Sequence, residues 1–204
     1  SINNMAIRRP GNVNNSRSRT NGIFGTASFS FNNYLYLEGA VRQDFFSVLT
    51  NPLDEDESDN SILYGSGALS FVLSDAITLP EWLGFAKLRL GYGTAGNANI
   101  QPYSLIQSFA VSSEPKENDN GNVTFGGISG TMFVNPIIEP ALTTSFEVGA
   151  DMSLLKNRVR LDLTYYDQKT DKHIFERPLP ASTGFSSVNV NAGEIQNRGI
   201  EALL

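Results

Sequence analysis

Cysteine is absent from the chain, which removes disulfide frameworks, thiol catalysis and cysteine-ligated zinc or iron–sulfur sites. Long apolar runs are missing too. No uninterrupted run of apolar residues exceeds four, Tyr34 to Leu37, whereas a membrane-spanning helix needs about 20 predominantly apolar residues. A transmembrane helix is excluded. The first twenty residues lack the apolar core of a signal peptide. The expectation is therefore that a targeting segment has been removed or that the chain begins inside a larger protein, and the bare loop at its start favours the second. Basic charge is also scarce: Lys+Arg 15 against Asp+Glu 21 gives a net charge of −6, which argues against a non-specific nucleic-acid binder.

Apolar residues are nevertheless plentiful. Hydrophobic content of 40% and aromatic content of 10% are enough to fold a domain. The dominant periodicity is two, recurring in segments separated by Asn-, Gly-, Pro- and Ser-rich stretches. Seven strands are predicted, over residues 21–31, 34–44, 62–73, 85–95, 143–154, 158–169 and 193–204. Several of these segments have an apolar and a polar face: in the fifth, Phe146, Val148, Ala150, Met152 and Leu154 alternate with Ser145, Glu147, Gly149, Asp151 and Ser153.

Two-faced strands suit both a soluble β-sandwich and an outer-membrane barrel. The connections discriminate. Short or moderate links (32–33, 74–84, 155–157) alternate strictly with long ones (45–61, 96–142, 170–192). If successive strands are antiparallel neighbours, all the long loops fall at one end, as in transmembrane barrels with short periplasmic turns and long extracellular loops. The fold class expected is all-β, an antiparallel transmembrane barrel segment. Outward aromatics sort into Phe29, Phe31 and Phe71 near the short turns and Tyr92, Phe146 and Tyr165 near the long loops, resembling paired aromatic girdles. A soluble sandwich with ordinary core aromatics remains the alternative.

Register is open at one hairpin. Pairing Leu154 with Asn157 sets Asp151 opposite Arg160 and Phe146 opposite Tyr165. A shift of two sets Asp151 against Asp162, at the cost of like-charge repulsion, but leaves Asn157 in the turn, which suits its tolerance of positive φ. The first register is preferred. At the first hairpin, matching Phe29 with Leu37 requires a three-residue loop, Asn32 to Tyr34.

Several motifs invite chemistry and fail on context. Gly91-Tyr-Gly93-Thr-Ala-Gly96 follows a strand but does not open a helix, so it lacks the N-terminus that would meet a pyrophosphate. These glycines are expected to relieve crowding. Asp54, Glu55, Asp56, Glu57 and Asp59 are acidic enough to hold calcium, but Asp59 and Gly65 stand where an EF-hand loop needs Gly and Glu. His173, the sole histidine, lies near Asp171 and Ser182 on a loop with no sign of the rigid scaffold a hydrolytic triad needs. Arg8, Arg9, Arg17 and Arg19 read as a solvated basic loop. No cofactor, no metal and no enzymatic activity are expected.

Three blocks occur in a familiar order. They are Leu88-Arg-Leu-Gly-Tyr-Gly-Thr-Ala-Gly-Asn97 followed by Pro102-Tyr103; Asn157-Arg-Val-Arg-Leu-Asp-Leu-Thr-Tyr-Tyr-Asp167 with Lys169-Thr-Asp171; and Leu179-Pro-Ala-Ser-Thr-Gly-Phe185 leading to Asn191-Ala-Gly-Glu-Ile-Gln-Asn-Arg-Gly-Ile-Glu201. From about residue 21 onward the chain resembles the SusC/RagA family of TonB-linked outer-membrane transporters, and the last block is the most specific. The resemblance implies a 22-stranded barrel plugged by an N-terminal domain, importing oligosaccharides or peptides captured with a SusD-like lipoprotein and powered through TonB. Arg42-Gln-Asp-Phe-Phe46 departs from the more Ser-rich strand end usual in the family.

At about 29 residues per strand, a 22-stranded barrel needs roughly 640 residues. Residues 1–204 are therefore expected to be part of the barrel domain, without plug or TonB-contacting segment, and 1–20 to be loop. An open sheet with unpaired edges is not expected to insert alone. Arg42, Lys87, Arg89, Glu147, Asp151, Arg158, Arg160 and Asp162 are the candidate lumen-facing residues, expected to form cross-strand ion pairs. Tyr103, Phe109, Phe125 and Phe185 on the long loops are the candidates for stacking on sugar rings or packing against a partner. Expected partners are outer-membrane lipids, a SusD-like lipoprotein, TonB through the missing plug, and an oligosaccharide or peptide, with no nucleic acid. A soluble β-sandwich binding module or adhesin is the alternative function, and an outer-membrane hydrolase the remote one.

Overall fold

The computed structural model describes residues 15–51, 59–111, 116–118, 121–123 and 126–204. Phe125, Asp54 to Glu57, Arg8 and Arg9 lie outside them. Seven long strands form one antiparallel sheet: β1 (Thr20–Phe31), β2 (Leu35–Phe46), β3 (Ser61–Val72), β4 (Leu83–Asn97), β5 (Ala141–Leu154), β6 (Val159–Asp171) and β7 (Glu194–Leu203). They neighbour one another in chain order. The all-β, antiparallel expectation holds, and each strand coincides with a predicted one to within about two residues.

Cross-strand pairing turns the period-two alternation into continuous rows, because directly opposed residues share a face. One row runs Phe29–Leu37–Leu69–Leu90–Val148–Tyr165–Ile200 from edge to edge. Its neighbour runs Phe31–Leu35–Phe71–Leu88–Ala150–Leu163–Ala202. On the opposite face, Thr26–Ala40–Ser66–Gly93–Ser145–Gln168–Asn197 is small and polar. Members of the first apolar row are 36% to 77% exposed, and among the described residues no second layer covers them. A soluble sandwich would bury this face, so the sandwich alternative loses its main requirement.

The connections segregate as expected. Residues 32–34, 73–82 and 155–158 lie at one end of the sheet, and the β2–β3, β4–β5 and β6–β7 connections leave from the other. The first hairpin pairs Phe29 with Leu37 through Asn32 to Tyr34. Asn32 (φ 45°) and Asn33 (φ 59°) occupy left-handed backbone that asparagine tolerates. The link after β3 contains one helical turn, Leu73–Ala76.

The β5–β6 hairpin departs from the preferred register. Leu154 pairs with Val159 and Asp151 with Asp162, so Phe146 opposes Asp167 and Tyr165 opposes Val148. Leu155, Lys156 and Asn157 all have positive φ, placing Asn157 in the turn. Two consequences follow. Arg158 sits in the turn rather than on the strand, and Tyr165 joins the row of Phe29 instead of pairing level with Phe146.

Among the described residues, the buried hydrophobic cluster sits under the long loops. Phe46, Leu49, Leu105 and Ile138 are buried together, with Ile62, Ile100 and Ile174 packed against them. This cluster ties the loop segments after β2, β4 and β6 to the end of the sheet.

Candidate functional site

The polar face carries two charged clusters. Near the short turns, Arg89 on β4 lies across β5 to reach β6. Its Nη2 donates to Asp162 Oδ1 at 2.7 Å and to Thr164 Oγ1 at 2.7 Å, and stands 3.6 Å from Asp151 Oδ1. Thr164 Oγ1 in turn donates to Asp162 Oδ1 at 3.2 Å. The crossing is possible because Gly149 opposes both Arg89 and Thr164. A Cβ there would fall 2.6 Å from Arg89 Nε, so any larger residue would push the guanidinium off its present path.

This guanidinium supplies the physical reason for the register. Two facing aspartates repel, but a cation from the third strand lies between them and offsets that repulsion. Arg160 instead opposes Ser153.

Toward the long loops, Arg42 and Tyr64 oppose each other and converge on Asp44. Arg42 Nε donates to Asp44 Oδ1 at 2.7 Å, and Tyr64 Oη donates to Asp44 Oδ2 at 2.5 Å. Asp44 is almost fully buried, so both carboxylate oxygens need such donors. Gly22, opposite Asp44, leaves the room the carboxylate fills.

Between the clusters lies a shallow trough of about 560 Å³ over Ser28, Ala40, Ser66, Gly93 and Ser145, flanked by Glu38 and Glu147. Lys87 opposes Asp151 in register and shares the face with Arg160 and Glu147. Among the described residues, ion pairs involve Arg42, Arg89, Asp151 and Asp162 of the eight sequence candidates. Asp44, Tyr64 and Thr164 were missed as members; their place on the same face as Arg42 and Asp162 was the signal that could have found them.

The long loops form a separate layer of structure. Residues Ile174–Pro178 and Ser187–Asn191 make a hairpin, against which Met132–Phe133 packs in parallel. Phe185 stacks edge-on against Phe133 at 5.2 Å, so its ring is partly engaged within the loops. Tyr103 is 58% exposed at a left-handed φ of 65°, and Phe109, on the ribbon Phe109–Val111 with Gly126–Ile128, is 73% exposed. These three rings make no contact with one another among the described residues.

The Asp171–His173–Ser182 constellation does not assemble. Asp171 pairs with Lys169 at 3.2 Å, and Ser182 lies exposed in the turn Ala181–Thr183. The Gly91–Gly96 segment stays in β4, where a Cβ at Gly96 would fall 2.5 Å from the Ile62 side chain. Gly96 and, less tightly, Gly93 therefore relieve crowding as expected, whereas a Cβ at Gly91 would make only ordinary contact, 3.9 Å from Glu147 Cβ. No metal-holding group of His, Asp or Glu occurs among the described residues.

One comparison decides the family. The model of the family described as "TonB dependent receptor-like, beta-barrel" matches residues 1–204. The chain belongs to that family. It is 28% identical over 189 residues to TonB-dependent receptor P3 of Formosa agariphila, covering 88% of this chain and 17% of that protein. TonB-dependent receptor SusC of Bacteroides thetaiotaomicron is 28% identical over 117 residues, 56% of this chain and 12% of that protein.

Among solved structures, the RagAB peptide transporter superposes with a TM-score of 0.77 at 22% identity, over 91% of this chain and 19% of that one. The siderophore receptor PirA of Pseudomonas aeruginosa gives 0.57 at 14% identity. These likenesses show the fold: the seven strands are a partial sheet of a TonB-dependent receptor barrel. The chain spans less than a fifth of the length of the curated relatives named here.

Proposed function

We propose that this chain is part of the barrel wall of an outer-membrane nutrient importer of the SusC/RagA type, with its apolar rows in lipid and its polar face toward the lumen and plug. The observation that carries the reading is the edge-to-edge apolar row from Phe29 to Ile200, set against the small polar row from Thr26 to Asn197. A wall needs that division, since lipid meets one face and water the other.

Arg42, Lys87, Arg89, Glu147, Asp151, Arg160 and Asp162 would then face the lumen, with Arg158 at a periplasmic turn tip. The Arg89 and Arg42 clusters hold the wall together. The long loops would face outward and carry contacts to an oligosaccharide or peptide and to a SusD-like lipoprotein, with Tyr103 and Phe109 the exposed rings best placed for stacking. TonB would act through a plug on another part of the protein. Catalysis forms no part of this reading, in keeping with relatives named as receptors and transporters.

The test is a deletion of the gene in its host, complemented by the full-length gene or by one with residues 98–140 shortened. Growth on oligosaccharides or on oligopeptides as sole carbon source is expected to fail for one class, return with the full gene and not with the shortened one. A pull-down through the full-length protein is expected to bring a surface lipoprotein with it. Unchanged growth on both classes, with no lipoprotein recovered, would overturn the reading.

A further inference from the structure

The most specific sequence block includes Asn191, and the barrel wall does not account for this residue because it lies before β7 begins. Its side chain is engaged elsewhere. Asn191 Oδ1 accepts from the backbone N–H of Glu139 at 2.8 Å, while Asn191 Nδ2 donates to Glu139 O at 2.8 Å and to Lys172 O at 2.9 Å. The amide thus mimics a neighbouring strand, pairing with both backbone groups of one residue 52 positions away. The Glu139 side chain closes the arrangement through an ion pair with Lys172, whose backbone is left-handed at φ 55°.

Further bonds join the same two segments. Asn135 Nδ2 donates to Asn189 O at 3.1 Å. Both the N–H and the hydroxyl of Ser186 donate to Thr131 O, at 2.7 and 3.0 Å. Residues 131–139 belong to the loop between β4 and β5, and 172–191 to the loop between β6 and β7.

We infer that Asn191 is the positioning residue that clasps these two long loops into one rigid platform, so that a contact made on either is felt by both. The inference rests on the reading of the loops as the ligand- and partner-facing surface only for its consequence, not for the clasp itself. Asparagine is the one side chain that offers an acceptor and two donors in a plane at this reach. Aspartate keeps the acceptor and loses both donors; alanine loses everything. Lys172→Met removes the ion pair alone, which is exposed and contributes little.

The test is backbone hydrogen exchange on the full-length protein in detergent, without any ligand. Asn191→Ala is expected to raise exchange at least tenfold in 131–139 and in 172–178 together, with β1 to β6 unchanged. Asn191→Asp is expected to fall between Ala and wild type, and Lys172→Met to change exchange less than twofold. A Met132→Cys, Ser187→Cys cross-link, placed on paired residues of the small parallel ribbon, is expected to restore protection to both loops in the alanine variant.

Faster exchange confined to 187–193, with 131–139 unmoved, would overturn the clasp, as would an aspartate variant indistinguishable from wild type. Should Asn191→Ala fail to fold, the aspartate and Lys172→Met variants decide alone. Because exchange needs no substrate, a failed uptake assay leaves this result standing, and a failed clasp leaves the uptake result standing.

Discussion

Arg89 is the residue on which the polar face turns. It reaches Asp162 and Thr164 from two strands away, over a glycine, and stands near Asp151 on the neighbouring strand. Arg89→Ala leaves two facing carboxylates without their shared cation, and a loss of about 1–2 kcal/mol is expected after allowing for partial exposure. Unfolding of the full-length barrel in guanidinium would measure it. Asp162→Asn in the same background is expected to recover part of that loss, because the repulsion goes with the charge. Gly149→Val should resemble Arg89→Ala, since its Cβ would displace the guanidinium. Lys172 offers a pH test. Its hydrogen bond to Glu139 holds the ammonium above its ordinary pKa, with the charges of Glu139 and Asp59 acting the same way and desolvation opposing them. A raised folded pKa means that the pair contributes fully below about pH 10.4 and is lost as pH climbs through the folded value. Because the pair is exposed, protease cleavage near 172 in wild type is expected to quicken less than twofold above that pH, and Lys172→Met should show no pH step at all.

At the scale of elements, the β5–β6 hairpin shows how far alternation can be read. Which residues share a face follows from parity, and parity was legible in several strands, β4, β5 and β6 most clearly. Which residues oppose each other depends on more than the two strands involved. Charge pairing between β5 and β6 alone favours Asp151 with Arg160; the cation on β4 reverses that preference, and nothing local to the hairpin announces it. The turn bears the cost. Leu155, Lys156 and Asn157 hold φ of 52°, 59° and 66°, conformations that suit glycine or asparagine better than leucine or lysine. Lys156→Gly is expected to stabilise the barrel by about 0.5–1 kcal/mol, read as a later guanidinium midpoint; a lower midpoint would argue for the other register. The long loops were legible only as loops. Phe46, Leu49, Leu105 and Ile138 come from segments with no shared period, so their common burial appears only once the wall has brought those segments together. Phe185 illustrates the same limit, since its partner Phe133 is 52 positions away in another loop.

At the scale of the whole molecule, no second layer covers the sheet among the described residues, and its stability must come from what covers its apolar face. The fold and family were legible from alternation, loop asymmetry and three sequence blocks, because a barrel wall repeats one simple division at every strand. The candidate site was legible as a set of charges on one face but not as two clusters, because long side chains reach across neighbouring strands. That division of faces is the central claim, and the most direct measurement of it uses single-cysteine variants of the full-length protein in bilayers. Labels at Leu69 and Val148, on the apolar row, are expected to be quenched by nitroxide groups on lipid tails and to resist water-soluble maleimides before labelling. Cysteines at Ser66 and Ser145, on the opposite face, are expected to react with those maleimides and escape the quenching. Tail quenching at Ser66 and Ser145 with aqueous reactivity at Leu69 and Val148 would contradict it.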